Sequence, residues 1–150
     1  MNIRPMRRGD LPEVMEIAAT LPEAPRWPES AYATALEPDA IPRRIALVAG
    51  DGDARVRGFA VALIIAPQAE LETIAVEKTA QRQGVASRLL AELFTALKRI
   101  QILEVLLEVR ESNHGARAFY MRSGFAETGR RTGYYSDPKE DAVLLCRALP

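Results

Sequence analysis

The stretch TAQRQGVASRLL, residues 79–90, sets two glutamines and an arginine before a lone glycine, small residues just after it, and helical leucines beyond. Ala86, Leu89, Leu90, Leu93, Leu97 and Ile100 then recur at helical spacing, so a long amphipathic helix is predicted from just after Gly84 to about Ile100. The first amides of a helix have no partner within it, and the macrodipole makes that end attractive to an anion. Gly84 lets the backbone come close to a ligand, Ala86 keeps the surface low, and Gln81, Arg82 and Gln83 add side-chain donors. The pattern fits a pyrophosphate cradle built largely of backbone N–H groups. An ordinary loop-to-helix junction with a glycine in its turn has the same spacing. Neither G-x-x-x-x-G-K-[ST] nor G-x-G-x-x-G is present.

Working outward, "NIRPMRR" reads as a first strand, and "GDLPEVMEIAATL" as a helix with Asp10 as N-cap and Pro12 in its first turn. "LPEAPRWPES" is proline-rich and breaks that helix, and "PESAYATALE" is a short second one. "RIALVAG" and "VRGFAVALIIA" flank "DGDA", a hairpin signal. "AELETIAVE" is the strand before the cradle. In it Leu71 falls at odd parity while Ile74 and Val76 are even. Either one extra residue near Thr73 forms a bulge that brings the three into phase, or the strand is buried on both faces. "EVLLEVR" is nearly all apolar and is expected to be buried on both faces. "SNHGARAFYMRSG" is a helix capped by Ser112 or Asn113 and stopped by Gly124. "FAETGRRTGYY" and "AVLLCRAL" are closing strands around "SDPKED". The expected fold class is α/β, a mixed sheet with helices on its faces, and residues 1–150 are expected to be one domain.

Twenty basic and twenty acidic residues cancel, which argues against a general nucleic-acid binder. Cys146 is the only cysteine, so no internal disulfide and no cysteine-cluster metal site is possible. Charges run through the N-terminal 19 residues where a signal peptide would be apolar, and "FAVALIIA" is too short to span a bilayer. A cytoplasmic protein in a reducing compartment, without membrane contact or metal, is expected.

Gln81-Arg82-Gln83-Gly84-Val85-Ala86 matches the Q/R-x-x-G-x-G/A signature of the GCN5-related N-acetyltransferases and follows the strand "ETIAV", as that family requires. Ala86 takes the place of the second glycine. Within the family the chain resembles the bacterial ribosomal-protein-alanine N-acetyltransferases through "IAVEKTAQRQGVASRLL", "LLEVRESNHGARAFYMRSGF", "RRTGYYSDPKEDAVLL" and "RWPESAY", which together cover most of it. Glu70 and Glu72 stand where those enzymes tend to be less acidic. The resemblance implies a central, mostly antiparallel sheet of about seven strands with helices on both faces. It implies acetyl-CoA as co-substrate, with its pyrophosphate on the amides at Gln81, Arg82, Gln83, Gly84, Val85, Ala86 and Ser87. The pantetheine arm would lie along Ile74, Ala75 and Val76, whose amides face the thioester carbonyl beside the bulge.

Asn113 and Tyr120 are seven residues apart on one predicted helix, hence on nearly one face and about 10 Å apart along its axis. On spacing alone, Asn113 serves as an N-cap and Tyr120 as a core residue. The resemblance instead gives Asn113 a contact to coenzyme A and makes Tyr120 the acid that protonates the departing thiolate. Glu108 interrupts an apolar strand, where a carboxylate is costly unless paired or used, and burial would raise its pKa. Composition allows it to be a partner of Arg110 or Arg122; the resemblance makes it the general base.

His114 reads as a solvated first-turn residue, Cys146 as core, and Arg130 and Arg131 as solvated. Trp27 anchors its loop or meets the acceptor, the resemblance places Tyr134 and Tyr135 at the acceptor cleft, and Glu72 is a further candidate on the acceptor side. The acceptor amine is expected to be the N-terminus of a ribosomal or similar protein. A small-molecule amine or a lysine is the alternative within the family. A non-catalytic acyl-CoA-binding module is the alternative outside it, against which the joint presence of Glu108 and Tyr120 argues.

Overall fold

Alternating burial arranges the chain around one sheet. The structure is a computed structural model and describes residues 1–22, 24–51 and 55–150. In chain order the strands and α-helices are β1 (Asn2–Pro5), α1 (Leu11–Thr20), α2 (Glu29–Ala35), β2 (Arg44–Gly50), β3 (Val56–Ile65), β4 (Gln68–Val76), α3 (Val85–Arg99), β5 (Glu104–Arg110), α4 (His114–Arg122), β6 (Ala126–Tyr135) and β7 (Glu140–Ala148). The seven-stranded sheet has the order β1-β2-β3-β4-β5-β7-β6. Among the described residues only β4 and β5 pair in parallel; the other five contacts are antiparallel. The expected hairpin is the β2–β3 pair, although residues 52–54 of its turn lie outside the described residues.

The apolar stripe on α3 decides one layer. Leu89, Leu93 and Leu97 are fully buried, each worth about 1.5–3 kcal/mol relative to exposure. They pack on Ala60 and Ala62 of β3, Leu71 and Val76 of β4, and Val105, Leu107 and Val109 of β5. Phe119 and Tyr120 of α4 lie against the same core. Phe59 and Val61 point to the opposite face, where they meet Val14 and Ile17 of α1 and Tyr32 of α2. Each face of the sheet therefore carries a helical pair. Among the described residues no helix is long and apolar enough to cross a membrane.

Two sequence expectations change. β5 is not buried on both faces: Val105, Leu107 and Val109 are buried, whereas Leu106, Glu108 and Arg110 alternate with them on a partly open face. Leucine is apolar in either setting, so composition hid a period of two. Asp10 starts α1 but makes no side-chain capping bond. Its carboxylate instead accepts 2.8 Å bonds from both terminal nitrogens of Arg4 and from the Arg7 backbone N–H. Hydrogen bonding to Arg4 is the main influence on it and, against the opposing effect of burial, holds the carboxyl below its ordinary value of 3.8.

In β4 the bulge is present. Val61 pairs with Thr73 and Ala62 with Leu71, leaving Glu72 as the extra residue. Leu71, Ile74 and Val76 consequently all face α3.

Asp10 has a depressed pKa, so its stabilisation is complete above the unfolded value of 3.8 and is lost as pH falls through the folded value. Asp10→Asn is expected to lower the unfolding free energy by roughly 1–3 kcal/mol at neutral pH. Denaturant melts should show the deficit shrinking as pH drops below about 4.

Candidate active site

β4 and β5 run side by side for three residue pairs, Gln68 with Glu104, Ala69 with Val105 and Glu70 with Leu106, and then separate. The bulge at Glu72 begins just where pairing stops, and its added bend turns β4 away from β5. Strands that part leave backbone groups without a ladder partner, so the fork is both a cleft and a row of available N–H and C=O groups. A cavity of about 880 Å³ fills it. Leu71–Val76 form one wall and Leu107–Arg110 the other. The start of α3 lies at one end, and Asn113, Ala116, Phe119 and Tyr120 of α4 close one side.

Two positive φ angles shape the loop before α3. Gly84 has φ +80° and Arg82 has φ +63°. A methyl group added at Gly84 would meet nothing within 4 Å, so the glycine is needed for its backbone conformation and not for lack of room. Arg88 is the first residue of α3 whose amide reaches back along the helix, to the Gly84 carbonyl at 3.1 Å. The amides of Val85, Ala86 and Ser87 precede it, and all three residues line the cavity.

The loop is held from below by Glu77. This carboxylate is 8% exposed and accepts hydrogen bonds from Arg55, Arg57 and the Thr79 hydroxyl. Burial by itself would raise its pKa, but the bonds from Arg57 and Thr79 outweigh that and hold it low. The glutamines brace the loop too. Gln81 Nε2 donates to the Val76 carbonyl at 3.0 Å, and Gln83 Nε2 to the Thr79 carbonyl at 3.2 Å. Gln81 and Arg82 line the cavity, whereas Gln83 does not. The side chain of Gln83 thus braces the loop from outside the cavity.

Asn113 is the N-cap of α4, with its side-chain oxygen accepting the Ala116 amide at 3.2 Å. It also lines the cavity, so the two readings of Asn113 are compatible. Gly124 ends the helix at φ +91°, as its position after the last periodic residue predicts. Tyr120 sits one face-turn along, with ring centroids 5.3 Å from Phe119 and 5.6 Å from Phe125. This apolar setting, with Tyr135 nearby, pushes its hydroxyl up to about 12. The phenol thus keeps its proton throughout the neutral range and faces the cavity as a donor.

Glu108 enters from the opposite wall. Its side chain is 23% exposed and pairs with Arg131, Nε to Oε1 at 3.2 Å. Neither expected arginine partner is used: Arg110 pairs with Glu140 at 3.2 Å, and Arg131 reaches across from β6. Sequence reading had left Arg131 solvated, and only the β5-β7-β6 order brings it within range. Arg130 pairs with Glu111 and Glu127.

Of the acceptor-side residues, Glu72 and Tyr135 line the cavity. Glu72 pairs with Arg44 at 2.7 Å. Tyr134 is 50% exposed and lies beside Glu108, whose hydrogen bond raises the phenol's pKa. Trp27 does not line the main cavity. It packs on Tyr32 at 5.3 Å and borders a second hollow of about 300 Å³ with Ser30, Thr34 and Arg44. Leu21, Ala24 and Pro25, from the proline-rich segment after α1, form a rim of the main cavity. Cys146 is half-buried with Sγ 3.1 Å from Glu104, and burial followed by that carboxylate pushes its thiol up to about 11, which disfavours a nucleophile.

The profile of the Acetyltransferase (GNAT) family matches residues 11–125. The ribosomal protein bS18-alanine N-acetyltransferase of Escherichia coli (strain K12) is 38% identical over 98 residues, which is 64% of this chain and 65% of that protein. A Bacillus subtilis (strain 168) relative, provisionally given the same name, is 30% identical over 143 residues, 95% of this chain and 92% of its own. The crystal structure of the Escherichia coli ribosomal-protein-S18-alanine N-acetyltransferase superposes with a TM-score of 0.86 at 29% identity, covering 99% of this chain and 93% of that one. With a forked sheet, an open helix start beside it and a family match over well more than half its length, the chain belongs to the Acetyltransferase (GNAT) family.

Proposed function

We propose that the chain, acting as one catalytic unit over residues 1–150, moves an acetyl group from acetyl-CoA to a primary amine, the N-terminal α-amine of a ribosomal or similar protein. The observation that carries this reading is the cavity itself. One continuous cleft connects the unpaired amides at the start of α3 to a protonated phenol on one wall and a carboxylate on the other. The names of the Escherichia coli and Bacillus subtilis relatives support the choice of acceptor.

The donor's chemistry fits these residues. A diphosphate suits the amides of Val85, Ala86 and Ser87 and the Arg82 side chain, and an extended arm suits the open edge of β4. Asn113, with its amide nitrogen left over after capping, would hold the arm from α4. Amides at Ile74, Ala75 or Val76 would stabilise the oxygen of the tetrahedral intermediate.

An α-amine with a pKa of about 8 is mostly protonated at neutral pH and must lose its proton to attack. Glu108 would take that proton, directly or through a water, once the acceptor has displaced Arg131 from it. The C–N bond then forms, the C–S bond breaks, and Tyr120 faces the departing sulfur. Full transfer from a phenol at about 12 to a thiolate whose thiol has a pKa near 8.5 is uphill. The first contribution of Tyr120 is therefore a hydrogen bond that strengthens as the sulfur gains charge.

A panel of N-terminal peptides, lysine peptides and polyamines should show turnover on the α-amines; turnover on the other classes alone would overturn the acceptor assignment. Glu108→Gln and Tyr120→Phe are each expected to lower kcat roughly 10²-fold or more, with acetyl-CoA affinity nearly unchanged. Because Tyr120 stays protonated until about pH 12, the loss in Tyr120→Phe should be the same at every pH between about 7 and 10. Gly84→Ala places a side chain at φ +80°, and calorimetry should record acetyl-CoA binding weakened by about ten-fold, the equivalent of 1–2 kcal/mol of backbone strain.

A further inference from the structure

One arginine ties the end of β5 to the turn between β6 and β7 and to the start of α4. Arg110, the last residue of β5, faces Ala142 across the β5–β7 ladder. That partner carries only a methyl group, so the arginine side chain can pass over β7 towards β6. There its Cζ lies 4.4 Å from the centroid of the Tyr135 ring. Nη1 donates to the Pro138 carbonyl at 3.1 Å and to Oε1 of Glu140 at 3.2 Å, and Nη2 donates to the Ser136 carbonyl at 3.2 Å. Oε2 of Glu140 accepts the Ser112 amide at 2.8 Å, and the Asn113 amide donates to the Arg110 carbonyl at 3.0 Å. Bonds from Ser112, against the opposing effect of burial, and then from Arg110 keep the Glu140 carboxyl below its ordinary value. The ion pair therefore stays charged across the neutral range.

The ring so held sits in the middle of the site. Tyr135 and Arg110 both line the cleft. Tyr135 helps to raise the Tyr120 hydroxyl, and its own hydroxyl is raised by burial first and then by the Glu108 carboxylate. It thus stands within electrostatic reach of both the proposed base and the proposed acid. Its own strand fixes it poorly. Between the Arg131–Ala142 and Tyr135–Glu140 pairs, β6 sets Thr132, Gly133 and Tyr134 against Asp141 alone. A ring that follows such a bulge on an edge strand needs an anchor from elsewhere in the sheet.

We propose that Arg110 is a positioning residue for acetyl transfer: it seats the Tyr135 ring beside Glu108 as the wall against which the acceptor's first residue packs. The inference rests on the acetyl-transfer reading above and adds to it a residue that exchanges no proton and acts through Tyr135. Only arginine suits the task. Stacking on a ring while donating to three oxygens takes a planar, forked cation, whereas a lysine offers one point charge on a flexible stem. A wall set in place beforehand spares the acceptor the cost of ordering it, so its loss falls on acceptor binding.

Arg110→Lys keeps a charge beside Glu140 and gives up the stack and the fork. With a peptide bearing a free N-terminal alanine, the variant should raise the peptide KM roughly ten-fold. Its kcat should stay within about three-fold and its acetyl-CoA affinity within about two-fold of wild type. Tyr135→Ala, with Arg110 in place, should raise KM by a similar factor. The double variant should be no worse than the worse single one, because both changes remove the same wall. Factors that multiply in the double variant, an unchanged KM, or a loss confined to kcat would each overturn the role. So would an Arg110→Lys protein that fails to fold or to bind acetyl-CoA, since the arginine would then be a brace of the fold at large. If wild-type protein acetylates no peptide, the transfer reading falls separately. NMR of protein with 13C-labelled tyrosine rings then still decides about Arg110, with the Tyr135 resonance assigned by its absence in Tyr135→Phe. In Arg110→Lys, a shift at Tyr135 with Tyr32, on the opposite face of the sheet, unmoved supports the role; any other pattern refutes it.

Discussion

The parting of β4 from β5 after Glu70 and Leu106 is the constraint on which the rest of the molecule turns. A parallel pair in mid-sheet would ordinarily continue its ladder, because abandoning it leaves backbone groups unsatisfied. Here the bulge at Glu72 bends β4, Gln81 reaches back to satisfy the Val76 carbonyl, and the cleft takes the place of the missing ladder. α3 starts at one end of that cleft, and α4 lines its side, so every proposed ligand contact inherits its position from one broken strand pair.

Holding such a fork open needs rigid support on either side. On the α3 face the support is apolar, a continuous core from Leu89 to Val109. Beneath the cradle loop it is ionic, with Glu77 gripped by Arg55, Arg57 and Thr79. The two kinds of support suit their places. Apolar packing has no directional demand and can back a whole sheet, whereas a loop of positive-φ residues needs specific bonds to keep its amides aimed.

The open face of the fork is organised by charge. Arg44 and Arg131 come from strands on opposite sides of it and meet carboxylates at its rim. Arg131 occupies the carboxylate proposed as the base. Tyr120, by contrast, packs against Phe119 and Phe125, and burial, with Tyr135 nearby, holds its hydroxyl high. The proposed base and acid thus sit in different environments, one wall polar and the other aromatic.

Much of this could be read from residue order. The loop before α3, the α3 stripe, and the α4 cap and stop follow from local rules: spacing at 3.6, a glycine where φ must be positive, a side-chain oxygen three residues before an amide; the β4 bulge is one of two readings that the parity of Leu71, Ile74 and Val76 leaves open. β5 looked doubly buried because leucine does not declare which face it is on, and the bonds by which Gln81 and Gln83 brace their loop are visible only once the loop is folded. What tertiary structure alone decided is which distant charges meet. The pairing of Glu108 with Arg131 and of Glu72 with Arg44 depends on strand order and on which face each residue takes. Local periodicity sets the elements because it acts over a few residues. Charge pairing across a sheet is set by topology, which no short window of sequence contains.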